Sequence, residues 1–175
     1  MTNKMSYVYM RESLEYDFLT GNLIWLERPL HHFADKRAQK IVNTKHAGTI
    51  AGTLNNEHIA VNFKGKRYPA HVLVWFYAYG EWPELGIDHI NNIHTDNRLE
   101  NLRMATVRQN GYNSKKRKDN TAGYKGVKKR GNKFTARIMV NGHRIFLGTY
   151  DTPEEAHAAY CKAAKKYFGE FARFE

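Results

Sequence analysis

The last third of the chain alternates apolar and polar side chains, a pattern that is typical of strands. Between Lys133 and Val140 every second residue is apolar, and apart from Met139 the residues between them are basic or polar. Asn141-Gly142, which follows, is a strong signal for a tight hairpin turn. We predict three antiparallel strands, at residues 124–130, 133–140 and 144–147, with a turn at Gly131-Asn132.

A helix is predicted directly after these strands. Thr152-Pro-Glu-Glu155 has the form of a capping box with proline at the first helical position, and Gly169 can end the helix. Small and aromatic residues recur at helical spacing and predict its buried stripe: Ala156, Ala159, Tyr160, Ala163, Ala164 and Tyr167. If this helix covers the apolar face of the sheet, the opposite face presents Lys128, Arg130, Arg137, Arg144 and Phe146.

The pattern changes period along the first part of the chain. Helical spacing of apolar residues from Val72 to Tyr79 predicts a helix that Gly80 can end. The stretch 28–45 shows little periodicity and is predicted to be a loop, and a second helix is expected from about Thr106. Short strands are predicted at 23–26, 48–54, 59–63, 67–68 and 87–90. The fold class predicted from these elements is α+β.

Charge divides the chain into two parts. The 175 residues carry a net charge of +11, and the segment from Gly111 to Glu175 holds 15 Lys and Arg against 6 Asp and Glu. Residues 113–121 have no apolar side chain, so we predict a basic linker there, either a solvated hinge or a direct phosphate contact. The predicted domains are 1–112, with a core at about 69–112, and 122–175. The leading partner for such a chain is a polyanion.

Composition excludes several classes of protein. A single cysteine excludes an intramolecular disulfide and a cysteine-rich structural zinc site. The longest apolar run, Ala70 to Tyr79 with His71 as an interruption, is too short to cross a bilayer, and the N-terminus lacks the apolar stretch of a secretory signal. We therefore expect a soluble, intracellular (cytoplasmic) protein that does not bind membranes.

The segment 87–110 carries the candidate chemistry. Asp88 and His89 are adjacent on a short apolar strand, where their side chains point to opposite faces. A carboxylate suits a hard cation such as Mg²⁺, and a neutral imidazole near its ordinary pKa can accept a proton from water. Asn110, on the following helix, is a candidate second oxygen ligand. Asn91, Asn92 and Asn97 are interpreted as loop formers.

These residues resemble a known family. Ala70-His71-Val-Leu-Val-Trp75, Asp88-His89-Ile-Asn, Asp96-Asn-Arg-Leu-Glu-Asn-Leu-Arg103 and Thr106 through Asn110 stand in the order found in HNH endonucleases of the phage and homing (mobile intron) type. The resemblance covers about residues 23–113. It implies a ββα-metal motif, a hairpin with the Asp-His pair followed by a helix with the last Asn. It also implies a gene of a bacteriophage or mobile element in a bacterial host.

The resemblance also implies a mechanism. Asp88 and Asn110 would bind one Mg²⁺ or Mn²⁺ ion, His89 would be the general base, and Asn101 would hold the loop in shape. One such site cuts one strand of double-stranded DNA, and we expect a monomer or weak dimer. His71 could contact phosphate or simply begin a helix. The remaining histidines considered show no ligand spacing, and no metal role is predicted for them: His31, His32, His46 and His58.

The C-terminal pattern resembles a second family, the DNA-binding domain of ethylene-response factors (the APETALA family). The matching segments are Gly123 through Arg130, Lys133-Phe-Thr-Ala136 and Leu147 through Ala156. In that family the sheet lies in the major groove, which implies DNA contacts by Lys125, Lys128, Arg130, Arg137, Arg144 and Phe146. Lys stands at 125 and 128 where the family has Arg, and Phe stands at 146 where it has Trp. Because Lys lacks a planar fork, we expect weaker base discrimination and more phosphate contact.

Three functions compete. The leading hypothesis is a DNA endonuclease with an N-terminal HNH nuclease domain and a C-terminal DNA-binding module. The alternative is a DNA-binding or regulatory protein whose HNH part has lost catalysis, against which Asp88, His89 and Asn110 argue. An RNA-binding accessory protein fits the charge but not the ordered sheet pattern.

Overall fold

The computed structural model describes residues 5–175, which form two compact units divided between Met104 and Ala105. The predicted basic linker, 113–121, therefore lies inside the second unit. The helix before it stays with that unit because the Tyr112 ring stacks on the Phe168 ring, with centroids 3.8 Å apart. Within the described residues, no helix is long and apolar enough to cross a membrane.

The first unit combines short helices with small antiparallel sheets, which confirms the predicted mixture of helices and antiparallel strands. Its sheets are β1-β2, the three-stranded β3-β4-β5, and β6-β7, whose second strand runs to the unit boundary. The elements in chain order are α1 (Tyr7–Arg11), β1 (Leu14–Tyr16), β2 (Leu23–Trp25), a 3₁₀ turn (Leu30–His32), α2 (Lys36–His46), β3 (Thr53–Asn55), β4 (His58–Phe63), β5 (Lys66–Pro69), α3 (Ala70–Tyr79), β6 (Gly86–His89), a 3₁₀ turn (Leu99–Asn101) and β7 (Leu102–Ala105).

Helix α3 lies in the core of the first unit. Its Leu73 and Val74 are fully buried, together with Met10, Leu14 and Val61 from three other elements. The predicted helix end is confirmed, because Gly80 takes a left-handed conformation (φ 74°) that suits glycine. This packing fixes the start of α3, and with it His71, against the strand β4.

Two sequence predictions in the first unit are wrong. The stretch 28–45 is not a loop, because α2 occupies Lys36–His46 and is capped by the Asp35 side chain. Its solvent-facing surface is so polar that the apolar period is weak. The strand predicted at 48–54 begins only at Thr53, since Gly48 and Gly52 both have positive φ and interrupt extended backbone.

The second unit contains α4 (Val107–Tyr112), β8 (Val127–Arg130), β9 (Lys133–Val140), β10 (His143–Tyr150), α5 (Pro153–Phe168) and a 3₁₀ turn (Gly169–Phe171). The three strands form one antiparallel sheet with β9 in the centre, and α5 contacts all three of them. The predicted bounds of β9 and the capping box of α5 are confirmed. This sheet with one helix is the arrangement that the alternating pattern predicts.

Three details of the second unit differ from the prediction. Strand β8 starts at Val127, because Gly126 has φ 77° and breaks the extended chain. Strand β10 is longer than 144–147, since a bulge between Phe146 and Gly148 lets pairing continue. In α5, Phe168 is buried where Tyr167 was expected, and Tyr167 is exposed.

Candidate active site and histidine clusters

The adjacent Asp88 and His89 lie at the end of strand β6, and both are almost completely buried. Strand β6 pairs with β7, and the loop between them returns through the 3₁₀ turn at Leu99–Asn101. Adjacent residues of a strand face opposite sides, so the carboxylate and the imidazole have separate surroundings. The two groups can therefore have different chemical roles on the same backbone.

Asp88 is paired with Arg103 of strand β7. The Nε and Nη2 groups of Arg103 donate to Oδ2 of Asp88 at 2.9 and 2.8 Å. The guanidinium is itself mostly buried, which makes this a charge-assisted contact shielded from water. The sequence hypothesis gave Arg103 no role of its own, although it lies within the segment that carries the HNH resemblance. It is the positive charge that faces the predicted metal ligand.

His89 is oriented by Asn97. The two side chains meet at 3.1 Å, Nε2 of the ring to Oδ1 of the amide, inside the unit. With Nε2–H donating to this carbonyl oxygen, a neutral ring carries its lone pair on Nδ1. Burial lowers the pKa of His89, and the hydrogen bond to Asn97 partly opposes that change. The imidazole is therefore neutral at physiological pH.

The loop between β6 and β7 is held by side-chain hydrogen bonds. Asn101 donates from Nδ2 to the backbone oxygen of Asp96 at 2.8 Å and accepts from the backbone N–H of Asn91 at 3.0 Å. Arg98 binds both carboxylate oxygens of Asp96, which lowers the pKa of Asp96 to about 2. These contacts fix the segment that carries Asn97 beside His89.

His58, His71 and His89 converge in the first unit, which sequence spacing did not indicate. One ring nitrogen of each lies within 4.8 Å of those of the other two. Burial, with repulsion from the neighbouring histidines, lowers the pKa of His71 to about 3, and burial also lowers the pKa of His58. His58, for which spacing along the chain predicted no metal role, thus lies in a group whose geometry could hold a metal ion. The reason is that β4 and β6 bring together residues far apart in sequence.

A second group contains Glu12, His31 and His32, for which spacing again predicted no ligand geometry. One carboxylate oxygen of Glu12 contacts Nε2 of His31 at 2.9 Å and Nε2 of His32 at 2.7 Å. The pKa of Glu12 is lowered, mainly by the hydrogen bond from His32. This group is a hydrogen-bonded cluster in which the polar atoms already satisfy one another.

Asn110, the other predicted metal ligand, is exposed on helix α4. The helix begins at the Thr106 cap, where Thr106 and Gln109 form a reciprocal capping box. Because α4 belongs to the second unit, the pairing of Asp88 with Asn110 stays a prediction. The second helix itself was predicted from about Thr106 and is confirmed.

Most of the predicted DNA-contact residues lie on the face of the second sheet opposite α5. Phe146 pairs with Arg137 across strands, and its side chain is 59% exposed although it is aromatic. Lys128, Arg130 and Arg144 are exposed as well. Lys125 differs, because its ammonium donates to the backbone oxygens of Tyr112 and Ser114 at 2.9 and 2.5 Å, and burial lowers its pKa to about 8. Its direct contact with DNA stays a prediction.

The hairpin of β6 and β7 lies in a segment that matches a known family: residues 68–112 match HNH endonucleases. This match identifies the segment as an HNH endonuclease domain, a class whose members are nucleases.

Two viral relatives extend this assignment. Protein 3.8 of Escherichia phage T7 is 32% identical over 107 residues, which are 59% of this chain and 88% of Protein 3.8. A protein of Acanthamoeba polyphaga mimivirus named "Uncharacterized HNH endonuclease L560" is 34% identical over 90 residues, 51% of this chain. The chain thus belongs to the HNH endonuclease family, and it spans about half the length of the mimivirus relative, 46% of which is matched.

Proposed function

We propose that the protein is a phage-encoded DNA endonuclease that hydrolyses phosphodiester bonds with His89 as general base. The observation that carries this proposal is the buried imidazole of His89, which Asn97 holds beside a carboxylate of opposite orientation and whose pKa burial lowers. A general base needs an available lone pair and a fixed direction, and the hydrogen bond to Asn97 supplies both. Asn97 thus acts as a positioning residue, whereas the sequence suggested only a loop former.

The donor chemistry around Asp88 fits one divalent cation. A carboxylate has two oxygens with several lone pairs, so Asp88 can bind a cation while it also accepts from Arg103. Asp88 and Asn110 would hold Mg²⁺ or Mn²⁺, since both offer the hard oxygen ligands that these ions prefer. When bound, the cation supplies Lewis-acid stabilisation of charge on the phosphate and the leaving oxygen.

The residues of the chain perform the remaining steps. His89 takes a proton from water as the water oxygen bonds to phosphorus and the bond from phosphorus to the leaving 3′ oxygen breaks. The leaving 3′ oxygen takes a proton from solvent, and Asn97 keeps the His89 ring from rotating away. Arg103 pairs with the Asp88 carboxylate, and it therefore competes with a cation for that ligand. Asn101 maintains the loop that carries Asn97. The reaction proposed for one site is hydrolysis of one strand.

The second unit is proposed to hold double-stranded DNA, as a module of the ethylene-response-factor type. Exposed basic residues and an exposed aromatic ring share one face of the sheet, and the opposite face is covered by α5. The net positive charge of the chain supports contact with phosphates. The side chains proposed to contact DNA are Lys128, Arg130, Arg137, Arg144 and Phe146. Lys125 is a weaker candidate, because its ammonium already donates to two backbone oxygens.

One observation favours the alternative, a DNA-binding protein without catalysis: Arg103 already neutralises Asp88. Nicking of supercoiled plasmid by the full chain, with Mg²⁺ or Mn²⁺ and at low salt, separates the two functions. We expect nicking by the natural chain and a loss of about 10²–10⁴-fold in single-turnover rate for His89→Ala. Asp88→Asn should also stop cleavage, whereas His46→Ala, at the end of α2, should not.

The binding of plasmid is measured in the same samples. His89→Ala should retain duplex affinity, because the proposed phosphate contacts lie in the second unit. If the natural chain binds DNA but does not nick it with either cation, the non-catalytic function is correct. If His89→Ala nicks at the natural rate, His89 is not the base.

A further inference from the structure

The imidazole rings of His58, His71 and His89 meet in the first unit, and the ring of His94 stacks on that of His58. His58 comes from β4, His71 from the first turn of α3, and His89 from the end of β6. The ring centroids of His71 and His89 are 4.9 Å apart, and those of His58 and His71 are 5.4 Å apart. Side chains that only fill space in a core are usually apolar, whereas these rings place nitrogen atoms against one another.

Two of these rings have unsatisfied polar atoms. Nδ1 of His58 and Nδ1 of His71 are buried and have no hydrogen-bond partner among residues 5–175. Buried polar atoms almost always have a hydrogen-bond partner. Two buried ring nitrogens without one, at the same place, indicate a ligand-binding site. The neutral rings of the cluster also carry lone pairs, which is the form in which histidine binds metals.

We propose that His58, His71 and His89 form a site for one divalent cation of the class that prefers imidazole, such as Zn²⁺, Co²⁺ or Ni²⁺. The site is separate from the oxygen-ligand site proposed at Asp88, because the two side chains point to opposite faces of β6. Nitrogen ligands suit these ions, whereas Mg²⁺ prefers oxygen. Three protein ligands leave a fourth position for water in tetrahedral coordination.

The geometry needs only a local adjustment. Ligand nitrogens now lie within 4.8 Å of one another, and bonds of about 2.0–2.1 Å to a tetrahedral ion place them roughly 3.3 Å apart. The ring nitrogens must therefore approach one another by up to roughly 1.5 Å when an ion binds. The hydrogen bond from His89 to Asn97 matches the usual arrangement in which a metal-binding histidine donates its other N–H to a carbonyl oxygen.

The Glu12, His31 and His32 cluster is a weaker candidate. Its carboxylate oxygen already accepts from both rings, and His31 is exposed. It therefore serves as an internal control for metal binding by histidine in the same chain.

Occupancy of the three-histidine site has a consequence that rests on the proposed function. A neutral imidazole has a single lone-pair nitrogen, so a cation bound to His89 removes the general base. Zn²⁺ should then inhibit Mg²⁺-dependent nicking, although it satisfies the general requirement for a divalent ion. The site would make cleavage sensitive to the concentration of such ions.

Direct binding is tested with Co²⁺ alone, by the visible absorption of imidazole-bound cobalt in the full chain. We expect one saturating equivalent for the natural protein and at least about a tenfold loss of affinity in His58→Gln and in His71→Gln. His46→Gln and His31→Gln should bind as the natural protein does. Absence of the bands, or equal binding by His58→Gln and His71→Gln, overturns the proposal.

A measurement on the natural chain covers the case in which the variants do not fold. Proton NMR of the Co²⁺ form should show three strongly shifted exchangeable ring N–H signals, one for each histidine ligand, and fewer than three overturns the three-histidine site. Zn²⁺ should slow nicking by the natural chain and less so by folded His58→Gln. Cobalt binding without any nicking would contradict the proposed nuclease function and leave the metal site intact.

Discussion

The ring of His89 shows how single neighbours determine the chemistry of a side chain. Burial alone would leave a neutral imidazole free to rotate about its bonds, and the Asn97 amide removes that freedom with a hydrogen bond of 3.1 Å. The Tyr16 hydroxyl in turn donates to the backbone oxygen of Asn97 at 3.2 Å. The orientation of the proposed base therefore depends on Asn97 and on the residues that hold Asn97 in place.

Replacing Asn97 tests this dependence at the residue scale. In Asn97→Ala the single-turnover nicking rate should fall by at least about tenfold, because the base loses its fixed direction. The bond to Asn97 raises the pKa of His89 against the larger effect of burial, so its loss should lower that pKa further. The acid limb of the pH–rate profile, where the base becomes protonated, should then move to lower pH.

The control for this variant is Ile93→Ala, at an exposed position of the same loop. It should keep both the rate and the acid limb of the natural protein. A lower rate with an unmoved acid limb in Asn97→Ala would mean that Asn97 acts on the loop and not on the ring of His89.

Among the elements, β9 and α5 follow directly from local sequence. The alternation in β9 and the capping box of α5 each involve residues within a few positions of one another, and both are found as predicted. Helix α2 is the opposite case. Its apolar positions are few and its start is marked only by Asp35, so the pattern indicated a loop.

Gly126 lies so close to α5 that a larger residue there should disturb the packing of the sheet on this helix. A Cβ at this position would lie 2.0 Å from Cδ2 of the buried Tyr160 ring, and φ is 77°. Gly126→Ala should destabilise the second unit, through the clash, by about 1–3 kcal/mol beyond the cost of the backbone conformation. Urea denaturation followed by circular dichroism measures the change in the free energy of unfolding.

Gly123→Ala is a matched control, because Gly123 has φ 80° and a Cβ there would meet nothing within 4 Å. It shares the backbone strain and lacks the clash. Equal destabilisation by both variants would show that the contact with Tyr160 does not limit the packing of the sheet on α5.

The whole molecule divides its charge between its units, and that division leads to a prediction about DNA binding. Arg137 and Arg144 are on the proposed DNA face, with Arg137 paired across strands to Phe146. Each phosphate contact contributes about 0.9 to the slope of log affinity against log salt, so Arg137→Gln with Arg144→Gln should reduce that slope by roughly 1.8. Fluorescence anisotropy of a labelled duplex at several KCl concentrations measures it.

The double variant Lys36→Gln with Lys40→Gln removes the same charge from exposed positions of α2 in the first unit. Its slope should match that of the natural chain. If the two double variants lower the salt slope equally, affinity depends only on net charge. The proposal that this face of the sheet contacts DNA would then be wrong. Lys125→Met should instead lower the free energy of unfolding and leave the salt slope almost unchanged. The reason is that the Lys125 ammonium donates to the backbone oxygens of Tyr112 and Ser114.

The sequence by itself determined the features that depend on neighbouring residues. These are the adjacent Asp88 and His89 on a short strand, the alternation of β9, the start of α4 near Thr106, the capping box of α5, and the concentration of positive charge near the C-terminus. Each is a local pattern, because strand pleating, helix capping and charge all act over a few residues.

Only the tertiary structure decided which distant residues meet. His58, His71 and Asn97 reach His89 through strand pairing and the packing of α3, and nothing in their spacing along the chain encodes that approach. The same holds for Arg103 at Asp88 and for the internal bonds of Lys125. Burial also comes from the fold as a whole, and it is burial that keeps these histidines neutral.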